Sequence, residues 1–142
     1  MLRGRSGASA LLGLFRRRKI DPDDRAALGA AGEKAARRHL KRLGYFILAQ
    51  NYRCQAGELD LIALDGEVIV FVEVKTRTDD AALDPSEWIT PAKRRQLMKV
   101  ARYYIHVKDA YNRPCRFDAL SVLMRDGARP VVQHFQDAFT PD

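Results

Sequence analysis

Residues 57–77 read GELDLIALDGEVIVFVEVKTR. Two β-rich runs, Glu58–Leu64 and Glu67–Lys75, flank Asp65-Gly66. An Asp-Gly pair between such runs is a strong hairpin signal, because a tight turn needs residues that tolerate positive φ. A two-residue turn at that pair sets Leu64 opposite Glu67, Asp60 opposite Phe71 and Glu58 opposite Glu73. Side chains alternate between faces along a strand, so Asp60, Glu73 and Lys75 share one face. Glu73 is then diagonal to Asp60, at roughly 7–8 Å between backbones. Two carboxylates that near can reach one cation.

The neighbours of these charges give them meaning. Val68, Val70, Val72 and Val74 form one face of the second run, and Ile69 and Phe71 lie on the acidic face. A strand apolar on both faces is central and buried. Glu73 and Lys75 stand at its C-terminal end, where a buried sheet meets solvent. A desolvated carboxylate pair is costly unless a proton, a cation or a metal neutralises it. The ordinary alternative is a solvated Glu–Lys pair on an exposed strand, and the converging Asp60 weighs against it.

A chain of 142 residues suits one domain with a sizeable core, and 46% hydrophobic content supports a globular protein. Cys54 and Cys115 have no metal-like spacing, and no secretory segment is visible, so a reducing cytoplasm is the expected location. His39, His106 and His134 are scattered without ligand spacing, which predicts no zinc site. The net charge of +7 fits a polyanionic partner.

The first twenty residues, MLRGRSGASALLGLFRRRKI, read as a mobile basic tail ahead of a single domain over 21–142. Their apolar run, Ala8–Phe15, is too short to span a membrane, and Arg16, Arg17 and Arg18 follow it in the wrong order for an export signal. No membrane association is expected beyond a weak surface helix.

A helix is predicted from Asp21, as N-cap with Pro22 at the first helical position, to about Leu43, with Gly44 as its stop. Glu33, Ala36, Leu40 and Leu43 form its packing stripe. Lys34, Arg37, Arg38, Lys41 and Arg42 lie opposite. Glu33 is either a border residue reaching water or an acid aimed at the hairpin carboxylates. Tyr45–Tyr52 reads as a strand, and Thr76–Ile89 as a polar loop beside Glu73. Trp88 anchors that loop or offers a stacking platform.

A second helix is predicted from Thr90, with Pro91 in its first turn, to about Val107. Leu97, Val100, Ala101 and Tyr104 face inward, and Lys93 lies at the edge of that stripe, to snorkel or to contact a phosphate. Arg95, Lys99 and Arg102 form an outer basic face. Strands follow at Arg116–Leu123 and Val131–Phe135. Asp118 either sits on the active face or pairs locally with Arg116, two readings that explain it equally well, and it stays outside the catalytic set. The order α-β-β-β-α-β-β predicts an α/β domain with a mixed sheet flanked by helices.

Gly32-Glu33, Gly57-Glu58-Leu59-Asp60, Phe71-Val72-Glu73-Val74-Lys75 and Arg116-Phe117-Asp118 together resemble the small bacterial YraN-type proteins. The resemblance spans about residues 30–139. That family is placed in the PD-(D/E)XK nuclease superfamily, whose restriction-endonuclease-like fold is shared with archaeal Holliday-junction resolvases. The resemblance implies an αβββαβ core, a Mg²⁺ or Mn²⁺ cofactor and hydrolysis of phosphodiesters. It implies Asp60, Glu73 and the backbone carbonyl of Val74 as metal ligands, Lys75 as the motif's cation, and Glu33 as the superfamily's helical acid. Leu59 stands where the superfamily name has proline.

The expected function is a divalent-metal-dependent endonuclease acting on DNA, branched or linear. Lys93, Lys34, Arg37, Arg38, Lys41, Arg95, Lys99 and Arg102 are the expected phosphate contacts, and a second copy of the chain is a further candidate partner. The alternative is a nucleic-acid-binding or scaffold protein that keeps the fold without turnover. Both have a basic surface, and metal-dependent cleavage separates them.

Overall fold

The structure is a computed structural model that describes residues 21, 24–79 and 84–140. The tail reading for residues 1–20 and part of the loop reading lie outside these residues. Helix α1 covers Arg25–Arg42. Strands β1 Phe46–Cys54, β2 Gly57–Asp65 and β3 Val68–Arg77 follow. A one-turn helix, α2 Pro85–Trp88, precedes α3 Pro91–Val107, and β4 Cys115–Leu123 and β5 Val131–Phe139 complete the chain. The strands form one sheet in the order β1-β2-β3-β4-β5. Pairing is antiparallel except between β3 and β4, which are parallel and joined through α3. This is the mixed sheet with flanking helices that the element order predicts.

Each face of the sheet is covered by one long helix. Ala36 and Leu40 of α1 pack with Tyr45, Leu61, Ala63, Val70, Val72, Leu120 and Val122. Leu97, Val100, Ala101 and Tyr104 of α3 pack on the other face with Leu59, Ile62, Phe71 and Phe117. The inward stripe expected for α3 is therefore correct. So is its start, since Thr90 accepts the Lys93 N–H at 3.2 Å ahead of Pro91.

Helix α1 departs from its expected ends. Its N-cap is Asp24, whose side chain accepts the Ala27 N–H at 3.0 Å. Asp21 lies one turn earlier, its carbonyl accepting the Asp24 N–H. Leu43 is exposed, because the helix has ended and Gly44 turns the chain at φ +88°. The close contact on this face is Gly32. A Cβ there would lie 1.8 Å from Thr76 Oγ1 and 2.7 Å from Thr76 Cβ. Only glycine lets α1 seat directly on the end of β3.

The hairpin register also differs from expectation. Asp65 pairs with Val68, and Leu61 with Val72, so the turn residues are Gly66 and Glu67. Gly66 takes φ +59° while Glu67 has no positive φ, and a II′-type turn needs a positive φ only at its first central residue. Asp65 stays in the strand, where its carboxylate accepts a hydrogen bond from Arg116 at 3.0 Å. The register therefore moves by two residues. An even shift leaves every side chain on its face. Continuing it sets Asp60 opposite Glu73 rather than Phe71.

The remaining bounds change less. Strand β1 begins one residue later than expected and continues to Cys54, β3 reaches Arg77, and β5 reaches Phe139. The expected loop after Lys75 is shortened by these strand residues and interrupted by α2. Trp88 packs against the α3-side core, which favours the anchor reading. No helix among the described residues is long and apolar enough to cross a membrane.

Candidate functional site

Strands β2 and β3 part company at Asp60. The β2–β3 ladder is recorded from Asp65↔Val68 to Leu61↔Val72. Beyond it, β2 continues against β1 through Tyr52↔Leu59 and Arg53↔Glu58. Strand β3 continues against β4 from Glu73↔Ala119 to Arg77↔Leu123. The result is a split in the sheet with Asp60 on one lip and Glu73 on the other. The Val74 N–H, which no longer faces a β2 carbonyl, donates to Asp60 Oδ2 at 2.8 Å. A backbone donor withdrawn from water needs a partner, and here the Asp60 carboxylate supplies it.

The pleat breaks at the same place. Leu59 packs on the α3 side and Leu61 on the α1 side, so simple alternation fails around Asp60. In β1, the pairs Gln50↔Leu61 and Tyr52↔Leu59 put Asn51 opposite Asp60, and Asn51 has φ +48°. Asp60 consequently sits where both helices reach it. Glu33 of α1 and Lys93 of α3 each interact electrostatically with its carboxylate.

These neighbours set the site's charge. Burial pushes Glu73 up, the Asp60 carboxylate pushes it further, and Lys93 pulls it back, leaving it at about 8. Lys93 Nζ is 3.6 Å from Glu73 Oε2, so this lysine lies beside the acids. Burial also raises Asp60, against the Val74 hydrogen bond, the Glu73 hydrogen bond and Lys93. Glu33 is raised by burial and by Asp60, and lowered by a hydrogen bond from Asn51 and by Arg37. Glu33 therefore belongs to the neighbourhood of Asp60 and is not a free border residue.

The donor set has a definite character. Among the described residues, no group of three or more His, Cys, Asp or Glu side chains converges on one metal position. A closed zinc set needs four such ligands. Mg²⁺ is satisfied by one or two carboxylates with waters and a substrate phosphate. Asp60 and Glu73, crowded together and short of positive charge, fit that demand. Lys75 is exposed and, two residues along β3, alternates to the Glu73 face.

The other expected contacts lie on two surfaces. Lys34, Arg38 and Lys41 are exposed on α1, with Arg37 half-buried, while Arg95, Lys99 and Arg102 are exposed on α3. Because α1 and α3 cover opposite faces of the sheet, these rows do not form one patch.

A second polar cluster was invisible in the sequence. Asp118 is fully buried, yet Arg116 Nε donates to its Oδ1 at 3.0 Å, His134 Nε2 to its Oδ2 at 2.8 Å, and the Asp137 N–H to Oδ1 at 3.1 Å. Burial pushes Asp118 up, but these bonds outweigh it and hold the carboxyl below its ordinary value. On its other side, His134 Nδ1 shares a hydrogen bond with His39 Nε2 at 3.1 Å. The histidines expected to be scattered thus include a contacting pair. Arg116 also reaches the Tyr45 hydroxyl at 2.7 Å. The cluster clasps α1, β1, β4, β5 and the hairpin end together, and it confirms local Arg116 pairing for Asp118.

The comparisons with known proteins agree with the family resemblance. The "UPF0102 protein" of Geotalea uraniireducens is 44% identical over 122 residues, covering 86% of this chain and 96% of that protein. The one from Nocardia farcinica is 44% identical over 116 residues, covering 82% and 91%. That of Pelotomaculum thermopropionicum is 42% identical over 118 residues, covering 82% and 98%. The family described as "Uncharacterised protein family UPF0102" matches residues 32–122, a span holding Gly32-Glu33, Asp60, Glu73, Lys75 and Asp118. The chain belongs to this family, the YraN-type proteins that its motifs resemble.

Proposed function

We propose that the protein is a divalent-metal-dependent phosphodiester hydrolase acting on nucleic acid, with DNA as its first candidate substrate. The observation that carries this reading is the Asp60–Glu73 pair at the split between β2 and β3. Burial and mutual repulsion hold Glu73 up at about 8, so near neutral pH the pair retains a proton that a cation can replace. Structural carboxylates gain nothing from such crowding, whereas a pair poised for Mg²⁺ or Mn²⁺ needs it.

On this reading Asp60 and Glu73 hold the ion, with the Val74 carbonyl as a third oxygen. When bound, the ion supplies Lewis-acid polarisation of the phosphate and lowers the pKa of a water. The Val74 amide fixes the orientation of Asp60. Lys93, paired with Glu73 in the metal-free protein, becomes available to a phosphate oxygen once the carboxylate is neutralised otherwise. Lys75 places an ammonium on the same face, where it balances charge that develops on the reacting phosphate. Glu33, held by Asn51, is the positioning acid behind Asp60.

A second reading, a nucleic-acid-binding module without turnover, draws support from the Lys93–Glu73 contact, which already supplies part of the missing positive charge. Incubating linear and branched DNA and RNA with the protein in Mg²⁺, in Mn²⁺ and in EDTA separates the two. Cleavage that requires the metal and disappears in Asp60→Asn and Glu73→Gln supports the hydrolase. Binding with no metal-dependent cleavage of any substrate favours the module.

A further inference from the structure

A cavity of about 470 Å³ opens on the α3 side of the sheet, near the end of that helix remote from the carboxylate pair. Leu64 and Ile69, a cross-strand pair of the hairpin, supply apolar wall. Tyr52 and Tyr104 add two aromatic rings, edge to face with centroids 5.3 Å apart. Lys108 and Arg113 are its charged lining, and among the described residues no carboxylate lines it. Neither cation has an ion-pair partner among the described residues. Asp109 is adjacent in sequence but is not part of the lining.

The loop that carries the two cations is built, not loose. The Lys108 N–H donates to Tyr104 O at 3.0 Å and the Ala110 N–H to Ile105 O at 2.9 Å, closing the helix end. The Arg113 N–H donates to Ala110 O at 3.1 Å, and the Ile69 N–H to Pro114 O at 2.9 Å ties the loop to β3. An apolar, aromatic recess of this size with a few fixed polar groups has the form of a small-ligand site. Its charge selects an anion with an apolar, flat body.

We propose that this cavity binds one nucleotide of a nucleic-acid strand, the base against Tyr52, Leu64 and Ile69 and a phosphate on Lys108 and Arg113. Aromatic side chains beside cations are how proteins hold single strands irrespective of sequence. The proposal rests on the nucleic-acid reading above for the strand that supplies the nucleotide. Lys93, at the first turn of α3, touches Glu73, and Lys108 caps the helix fifteen residues later. That separation is roughly 22 Å along the axis, about six nucleotides of a stacked strand at ~3.4 Å each. The nucleotide in the cavity is thus about six positions from the phosphate at the carboxylate pair. The site selects strands with an unpaired base at that distance.

The test uses the full chain in EDTA, so that no metal chemistry contributes. Binding of thymidine 5′-monophosphate, adenosine 5′-monophosphate, adenosine, inorganic phosphate and decanoate is measured by titration calorimetry. The nucleotides should bind at least tenfold more tightly than adenosine or phosphate alone. The double variant Lys108→Glu, Arg113→Glu, whose residues are exposed, should lose that binding at least tenfold while its circular dichroism is unchanged. Tyr52→Ala should weaken nucleotides but not phosphate. Decanoate binding as tightly as the nucleotides would overturn the proposal, as would nucleotide affinity unaffected by the double variant. A concentration-dependent dimer that the double variant disrupts would assign the cavity to a second copy instead. Asp60→Asn keeps nucleotide binding if the cavity is right, even where the hydrolase reading fails. Conversely, metal-dependent cleavage with no nucleotide binding leaves that reading intact and removes this one.

Discussion

The Asp60 carboxylate accepts the Val74 N–H at 2.8 Å across the split between β2 and β3. One residue therefore serves the backbone and the site together, and different substitutions separate the two services. Asp60→Asn keeps an oxygen for the Val74 N–H and removes the repulsion on Glu73, so metal-free stability at pH 7.5 should rise by about 1 kcal/mol. Asp60→Ala removes the repulsion too, but leaves the half-buried Val74 N–H without its partner, at a cost of about 1 kcal/mol. It should be less stable than Asp60→Asn by about that amount. Urea unfolding in EDTA checks the order. An alanine variant as stable as the asparagine one would mean that the hydrogen bond contributes nothing.

The pH dependence of Glu73 follows from its elevated pKa. The folded value, about 8, lies above the ordinary 4.5. Protonated Glu73 thus adds stability that is complete below about pH 4.5 and is lost as pH rises through 8. The loss approaches about 1.4 kcal/mol per pH unit between those limits. Glu73→Gln should flatten this part of the metal-free stability profile relative to the parent. On the proposed function, Mg²⁺ should offset the loss in the parent and do nothing for the variant. Parallel parent and variant profiles from pH 5 to 8 would show that the pair is not strained.

Gly32 and Thr76 set how closely α1 approaches β3. Gly32→Ala places a Cβ 1.8 Å from Thr76 Oγ1, so helix and strand must separate, costing about 1–3 kcal/mol. The movement also carries Glu33 away from Asp60. Thr76→Gly in the Gly32→Ala background removes the clashing atoms and should recover part of the loss. Thermal unfolding of the parent, the single variant and the double variant measures it. A single Gly32→Ala variant with parental stability would contradict the contact.

How much of this was legible in the sequence depended on the range of each signal. Helix α3 was readable because Thr90, Pro91 and its apolar stripe are local. The faces of the paired run were readable even though the hairpin register was two residues off, since an even error keeps each side chain on its face; the break in the pleat at Asp60, where Leu59 and Leu61 pack on opposite sides of the sheet, was not. What misled was Asp65, which stays in the strand to meet Arg116, 51 residues away. The same distance problem hid His39 and His134, separated by 95 positions and joined at 3.1 Å. No spacing rule connects such residues. Asn51, which breaks the pleat beside Asp60, sits in a run that reads as ordinary strand. Gly32 was visible as half of a motif, but its purpose emerges only when Thr76 is packed against it.

The last prediction concerns the two lysines beside the carboxylates, which the structure distinguishes. Lys93 Nζ lies 3.6 Å from Glu73, half-exposed, whereas Lys75 is exposed. In the metal-free protein, Lys93→Met should lower stability above pH 8, because it removes a charge that favours ionised Glu73. Lys75→Met should change stability by no more than about 0.5 kcal/mol, as exposed substitutions do. On the proposed function the order reverses in catalysis. Ammonium has no lone pair for a cation, so Lys75→Met should leave Mn²⁺ affinity near the parent's or tighten it. Single-turnover cleavage should nonetheless fall by about 10²–10³, the usual loss when a group that stabilises developing charge is removed. Lys93→Met should lose less cleavage and bind Mn²⁺ more tightly, since Glu73 is freed from a competing cation. Calorimetric Mn²⁺ titration and single-turnover cleavage on one preparation of each variant measure both. Parental cleavage by Lys75→Met would remove this lysine from the mechanism. A Lys75→Met variant that also unfolds would make it a structural counter-charge to Asp60 and Glu73.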